Sequence, residues 1–170
     1  MLGGLPATVD PILLADKGAR LFGRVPLRNM ARLKAQLLDD EGEAEVDLAF
    51  ECSEGANLRR MHGSVIAHVS MTCQRCLEAM TVEISTAPDT ILLRTGEAEP
   101  GLPPEADVLT VGTAPTPIAE LIEEELLLAL PMVPMHELDE CPARAYIAGS
   151  PDSEKKRPFA ELARRKRDNE

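Results

Sequence analysis

The feature that most narrows the folds open to this chain is Cys73-Gln74-Arg75-Cys76, a C-x-x-C set between two alternating apolar runs. Before it, Val65, Ala67, Val69 and Met71 alternate with Ser64, His68 and Ser70; after it, Met80, Val82 and Ile84 alternate with Thr81, Glu83 and Ser85. Period-two alternation marks strands with one buried face, so the cysteines are expected at the tip of a hairpin. Two thiolates presented by one tight loop can share a tetrahedral metal, provided the chain supplies a second pair of ligands. His136 and Cys141 are that pair, giving a Cys3His set of Cys73, Cys76, His136 and Cys141 suited to one structural zinc ion. A redox C-x-x-C normally opens a helix in a parallel βαβ unit, where the helix end lowers the thiol pKa, and strands on both sides speak against that. The reading of small buried thiols without any chemistry stays open at this level.

The remaining periodicities fill in an α+β domain. Val46, Leu48 and Phe50 alternate with Glu45, Asp47 and Glu51, and shorter apolar runs near Arg20 to Val25, Ile91 to Leu93 and Val108 to Val111 read as further strands. Two helices are expected. One starts at Pro26, with Leu27, Met30, Ala31, Lys34, Leu37 and Leu38 on one stripe; the other is capped by Thr116, with Pro117 first and Ile118, Leu121, Ile122, Leu126, Ala129 and Leu130 facing inward. Glu120, Glu123, Glu124 and Glu125 would form its solvated face, toward the positive end of the helix dipole. Val9 to Leu14 reads as extended. The expected architecture is an antiparallel, partly barrel-like sheet of five or six strands with the two helices packed on it. Residues 1–147 make this core, and residues 148–170 make a flexible linker and basic tail.

Charge divides the chain sharply. The net charge is −11, and the stretch Lys155 to Arg167 carries seven basic residues and one acid, so a local +6 leaves −17 for everything else. An acidic body repels a nucleic-acid backbone, which leaves the tail as the place for phosphate contact. There Lys155, Lys156, Arg157, Arg164, Arg165, Lys166 and Arg167 surround Phe159 and Leu162, which share a helical face. A basic amphipathic segment this short orders only on a partner, so these nine residues are candidates for binding RNA or a protein. A second basic series, Lys17, Arg20, Arg24, Arg28, Arg32 and Lys34, precedes eight acids between Asp39 and Glu54 that have no base among them. The longest apolar stretch, Leu126 to Met135, is broken by Pro131 and Pro134 and is too short for a bilayer. No leader pattern opens the chain, so a cytoplasmic protein with reduced thiols and no membrane contact is expected.

Three blocks of the chain resemble the YceD family, the bacterial large ribosomal RNA subunit accumulation proteins. They are Thr72-Cys73-Gln74-Arg75-Cys76; Glu124 to His136 with Cys141 following; and Pro158-Phe159-Ala160-Glu161-Leu162-Ala163 followed by basic residues. One departure is Arg157, where the family often carries Asn. The resemblance implies a non-enzymatic factor in large ribosomal subunit biogenesis. Such a factor would support synthesis, processing or accumulation of large-subunit rRNA through contacts with a basic ribosomal protein, precursor rRNA, or both. The alternative is a zinc-stabilised protein interaction module acting outside the ribosome. Catalysis is not expected: the acids are spread along exposed faces, and His62 and His68 sit in mid-strand, so neither a nuclease centre nor a small-molecule substrate site is visible.

Overall fold

The computed structural model describes residues 5–53, 58–97, 102 and 105–147. The chain divides into two compact units, Met1–Met135 and His136–Glu170. In the first unit the chain enters through β1 (Thr8–Val9) and α1 (Pro11–Asp16), then β2 (Arg20–Pro26). A 3-10 turn at Leu27–Asn29 and the single turn α2 (Ala31–Lys34) lead to β3 (Glu43–Ser53), β4 (Leu58–Thr72), β5 (Ala79–Thr86), β6 (Asp89–Arg94) and β7 (Asp107–Val111). The short β8 (Thr116–Pro117) runs into α3 (Ile118–Ala129). In the second unit the described residues form a turn from Glu137 to Cys141 and then α4 (Arg144–Ile147).

The main sheet has the order β2-β3-β4-β6-β7, with β5 also paired to β4. It is open, so the barrel-like closure expected from the sequence is not seen, and the β6–β7 pair is parallel where an antiparallel sheet was expected. β4 is long enough to serve two partners. Residues 65–72 pair with β5 and residues 59–62 with β6, and the chain crosses between them at Gly63, whose N–H donates to Pro88 O at 3.1 Å. Gly63 has φ 155°, and a Cβ there would lie 2.0 Å from Asp47 O, so only glycine lets β3 pass.

Alternation does what the sequence leads one to expect. Ala44, Val46, Leu48 and Phe50 of β3 and Met61, Val65, Ala67, Val69 and Met71 of β4 are all buried on one face. Over this face pack Ile12 and Ala15 of α1, Leu27, Met30, Leu33, and Leu121, Ile122 and Leu126 of α3. Burying a side chain such as Phe50 or Leu126 stabilises the fold by roughly 1.5–3 kcal/mol each, which identifies this layer as the main source of stability.

Three expectations need correction. Val9 to Leu14 is not extended throughout: Asp10 Oδ1 accepts from Ile12 N (3.0 Å) and Leu13 N (3.1 Å), and Pro11 occupies the first turn, so a short helix forms. The long helix after Pro26 is instead a 3-10 turn and one α-turn, interrupted at Met30, which is extended at φ −110°, ψ 91°. Thr116 does not cap α3; it pairs with Val9 in the β1–β8 ladder, and Ile118 N bonds Ala7 O at 3.1 Å. No helix among the described residues is long and apolar enough to cross a membrane.

Candidate metal centre

The hairpin tip forms as the alternating runs require. Thr72 and Ala79 are the last paired residues of β4 and β5, and the chain between them turns tightly: Leu77 N donates to Cys73 O and Cys73 N to Glu78 O, both at 2.9 Å. Leu77 adopts φ 64°, a left-handed conformation that a leucine takes only when its surroundings impose it. Gln74 N donates to Pro134 O at 2.8 Å, and Gln74 Nε2 to Thr72 O at 3.2 Å. The loop is thereby tied to the extended, proline-punctuated segment that follows α3. In the second unit, Glu140 N and Cys141 N both donate to Glu137 O, at 3.1 and 3.0 Å, and Arg144 N to Cys141 O at 2.9 Å, which fixes Cys141 at the end of a turn.

The donor atoms of Cys73, Cys76, His136 and Cys141 all lie within 4.8 Å of one another. Cys73 and Cys141 are buried, and Cys76 is half-buried. Around zinc, with metal–sulfur bonds of about 2.3 Å and a metal–nitrogen bond of about 2.1 Å, tetrahedral donors stand roughly 3.5–3.8 Å apart. The grouping is compatible with a four-ligand metal site. Three soft thiolates and one imidazole suit zinc, and a set of four protein ligands leaves no open position for water or substrate.

The structure also shows what the rest of the charge does. The basic series Lys17 to Lys34 is largely spent on ion pairs. Arg20 bonds Asp47 through Nε and Nη2 (2.7 and 2.6 Å), Arg24 bonds Glu45 (2.8 Å), and Lys34 bonds Asp40. On the same outward face of the sheet, Arg60 bonds Asp89, His68 meets Glu83 at 3.1 Å, and His62 meets Glu51 at 3.4 Å. His68 is thus the solvent-side strand residue its place in the alternation implies. Five of the acids that lack bases within their own stretch find partners elsewhere: Asp40 on Lys34, Glu43 and Glu45 on Arg24, Asp47 on Arg20 and Glu51 on His62. Where these pairs form, the two series offset each other's charge.

Glu123 departs most from its expected role. Only 4% exposed, it does not belong to the solvated face of α3. Its Oε1 accepts from Arg32 N (2.7 Å) and Leu33 N (3.0 Å), and its Oε2 from Arg32 Nε (3.1 Å), so it caps α2 from a distant helix. Burial alone would raise its pKa, but the Leu33 and Arg32 N–H donors and the guanidinium outweigh burial and hold the carboxyl below its ordinary value. Sequence carried a faint signal for it: Glu123 stands four residues after Ala119 and three before Leu126, at the rim of the inward stripe. Arg75 is a second residue that periodicity could not single out. Its Nη2 contacts Met135 Sδ at 3.7 Å, and its Nη1 is buried without a hydrogen-bond partner among the described residues.

Of the residues singled out from sequence, the four metal-ligand candidates are brought together. Lys155, Lys156, Arg157, Phe159, Leu162, Arg164, Arg165, Lys166 and Arg167 lie outside the described residues.

Comparison with known proteins gives one family. The model of "Large ribosomal RNA subunit accumulation protein YceD" matches residues 61–166, more than half of the chain, including the C-x-x-C loop, α3 and the His136–Cys141 segment. A curated relative from Haemophilus influenzae, itself called large ribosomal RNA subunit accumulation protein YceD, is 28% identical over 169 residues, covering 94% of each chain. No solved structure gives a significant match.

Proposed function

The chain belongs to the YceD family, and from that premise we propose that it is a non-enzymatic cytoplasmic factor in biogenesis of the large ribosomal subunit. It would act on the accumulation of large-subunit rRNA by contacting precursor rRNA, a basic ribosomal protein, or both. What carries the reading is the extent of the family match, which runs from β4 through the tail and takes in every block on which the resemblance was based. The charge division supports it: a net −17 outside Lys155 to Arg167 suits a basic protein partner, and the +6 of that segment suits phosphates.

The non-enzymatic part of the proposal is supported by how the reactive groups of α3 and of the cysteine cluster are used. Glu123 and Glu124 of α3 are engaged with Arg32, and Glu125 meets Thr86 Oγ1 at 3.3 Å. The thiols and His136 make a four-ligand grouping of the structural type. One zinc ion held there would supply folding free energy, not chemistry, and would do so where few apolar side chains are buried.

Sedimentation of cell lysate on sucrose gradients tests the role. The intact chain and one ending at Ser153 are compared at low and moderate salt. Co-migration of the intact form with large-subunit precursors, lost on truncation, places the contact in the basic tail. Co-migration of both forms places it on the acidic body and makes a basic ribosomal protein the partner. If neither form co-migrates, the zinc-stabilised interaction module acting outside the ribosome replaces the proposal.

A further inference from the structure

We propose that Arg75 is the built-in charge partner of the metal centre, neutralising a thiolate-rich ion from inside the C-x-x-C turn. The inference rests on the metal reading above and adds a residue that is not a ligand. Arg75 lies between the two cysteines of a loop closed by Leu77 N to Cys73 O. Guanidinium stays charged at every pH the protein meets and carries five donors. Among the described residues Nη2 meets a thioether, a weak acceptor, and Nη1 is buried without a hydrogen-bond partner. Buried polar groups in folded proteins are nearly always paired, and a charged one most of all, so an orphan at this place calls for an anion.

The ligand set supplies one when loaded. Zinc at 2+ with three thiolates and a neutral imidazole carries a net charge of −1, and thiolate sulfurs that bind metal still accept N–H donors. A single guanidinium brings the centre to neutrality, which matters in a half-buried site where an uncompensated charge is costly. The burial of Nη1 also argues against the role an arginine would first suggest in this family, a contact to an RNA phosphate. A phosphate could reach that atom only if the loop opened. Other polar atoms of the loop do not compete for the role, because Gln74 N and Nε2 are already bonded to Pro134 O and Thr72 O.

The test uses the full-length zinc-loaded chain, with Arg75→Met, Arg75→Lys and Cys76→Ser beside it. Zinc transfer to a chromogenic chelator gives affinity and release rate, and replacement by cobalt(II) reports thiolate ligation through its charge-transfer bands. Arg75→Met is expected to retain the cobalt spectrum of three thiolates but to bind zinc roughly tenfold to a hundredfold more weakly, as for other outer-shell partners. Arg75→Lys should recover part of that loss, since an ammonium restores the charge but not the planar fork. Far-UV circular dichroism should be unchanged in both. Equal zinc affinity in the wild type, Arg75→Met and Arg75→Lys, with weaker binding in Cys76→Ser, overturns the role of Arg75 while leaving the centre intact. A wild-type chain with neither zinc nor a thiolate–cobalt band overturns the centre as well. Should Arg75→Met fail to fold, Arg75→Lys decides: several-fold weaker binding supports the role, and no change refutes it.

Discussion

The two ends of the β4–β5 hairpin are held by different physics. At its base, Met61, Val65, Ala67 and Val69 lie under α1, the Leu27–Leu33 segment and α3, and are almost completely buried. At its tip, the turn Cys73–Glu78 is organised by four backbone and side-chain hydrogen bonds and by its candidate metal donors, while Leu77 is 74% exposed. Apolar burial is spread over many side chains and is blind to metal. The tip concentrates its stability in a few polar groups, so it should be sensitive to chelation and oxidation in a way the base is not. One strand pair can therefore carry a rigid scaffold at one end and a conditional element at the other.

That difference can be broken at the base first. Phe50→Ala removes the largest fully buried side chain and should cost about 3–5 kcal/mol in urea unfolding, with zinc affinity of the folded protein unchanged. Gly63→Ala should cost about 3 kcal/mol, because a Cβ 2.0 Å from Asp47 O forces β3 and β4 apart; an unaffected midpoint would show that the crossing can relax. A loss of zinc binding in either variant while it remains folded would mean that base and tip are coupled after all.

Glu123→Gln should cost about 1.5–3 kcal/mol at neutral pH, since the acceptors of two α2 N–H groups and of Arg32 lose their charge. Its sign in pH is fixed by the depressed pKa. The contribution is fully present above the ordinary carboxyl value of 4.5 and is lost as pH falls through the lower, folded value. Acid unfolding of the variant should therefore be shallower than that of the wild type below about pH 4.5. Asp10, which burial alone would push up but which Arg94 at 2.9 Å and the Leu13 and Ile12 N–H groups hold below its ordinary value, adds acid sensitivity of the same sign. The smallest effect belongs to the outer face. Arg24→Ala breaks exposed pairs with Glu45 and Glu43 and should leave the urea midpoint almost unmoved, with the small shift shrinking further at high salt.

How much of this could be read from sequence depends on the range of the interactions involved. The β3, β4 and β5 strands announce themselves because alternation is local and long, and the hairpin tip follows from them. The stripe of α3 was equally plain. What escaped was settled between distant segments: whether Thr116 caps a helix or pairs with Val9, or whether Glu123 faces water or reaches Arg32 and Leu33, 91 and 90 positions upstream. The neutralised outer face escaped for the same reason. Arg20 meets Asp47 only because β2 and β3 pair with Phe22 opposite Asp47 and Arg20 opposite Ala49, a register no composition reveals. The four candidate ligands were legible because metal chemistry restricts residue type and spacing so tightly. Arg75 was not, since nothing in a sequence marks a guanidinium as buried and unpaired.

Hydrogen–deuterium exchange on the full-length chain, with and without a strong zinc chelator, tests the contrast between the two ends most directly. Chelation should raise exchange in residues 73–78 and 131–141 while residues 44–50 and 61–71 keep their protection. Unchanged exchange everywhere, or a loss of protection shared equally by base and tip, would contradict that contrast.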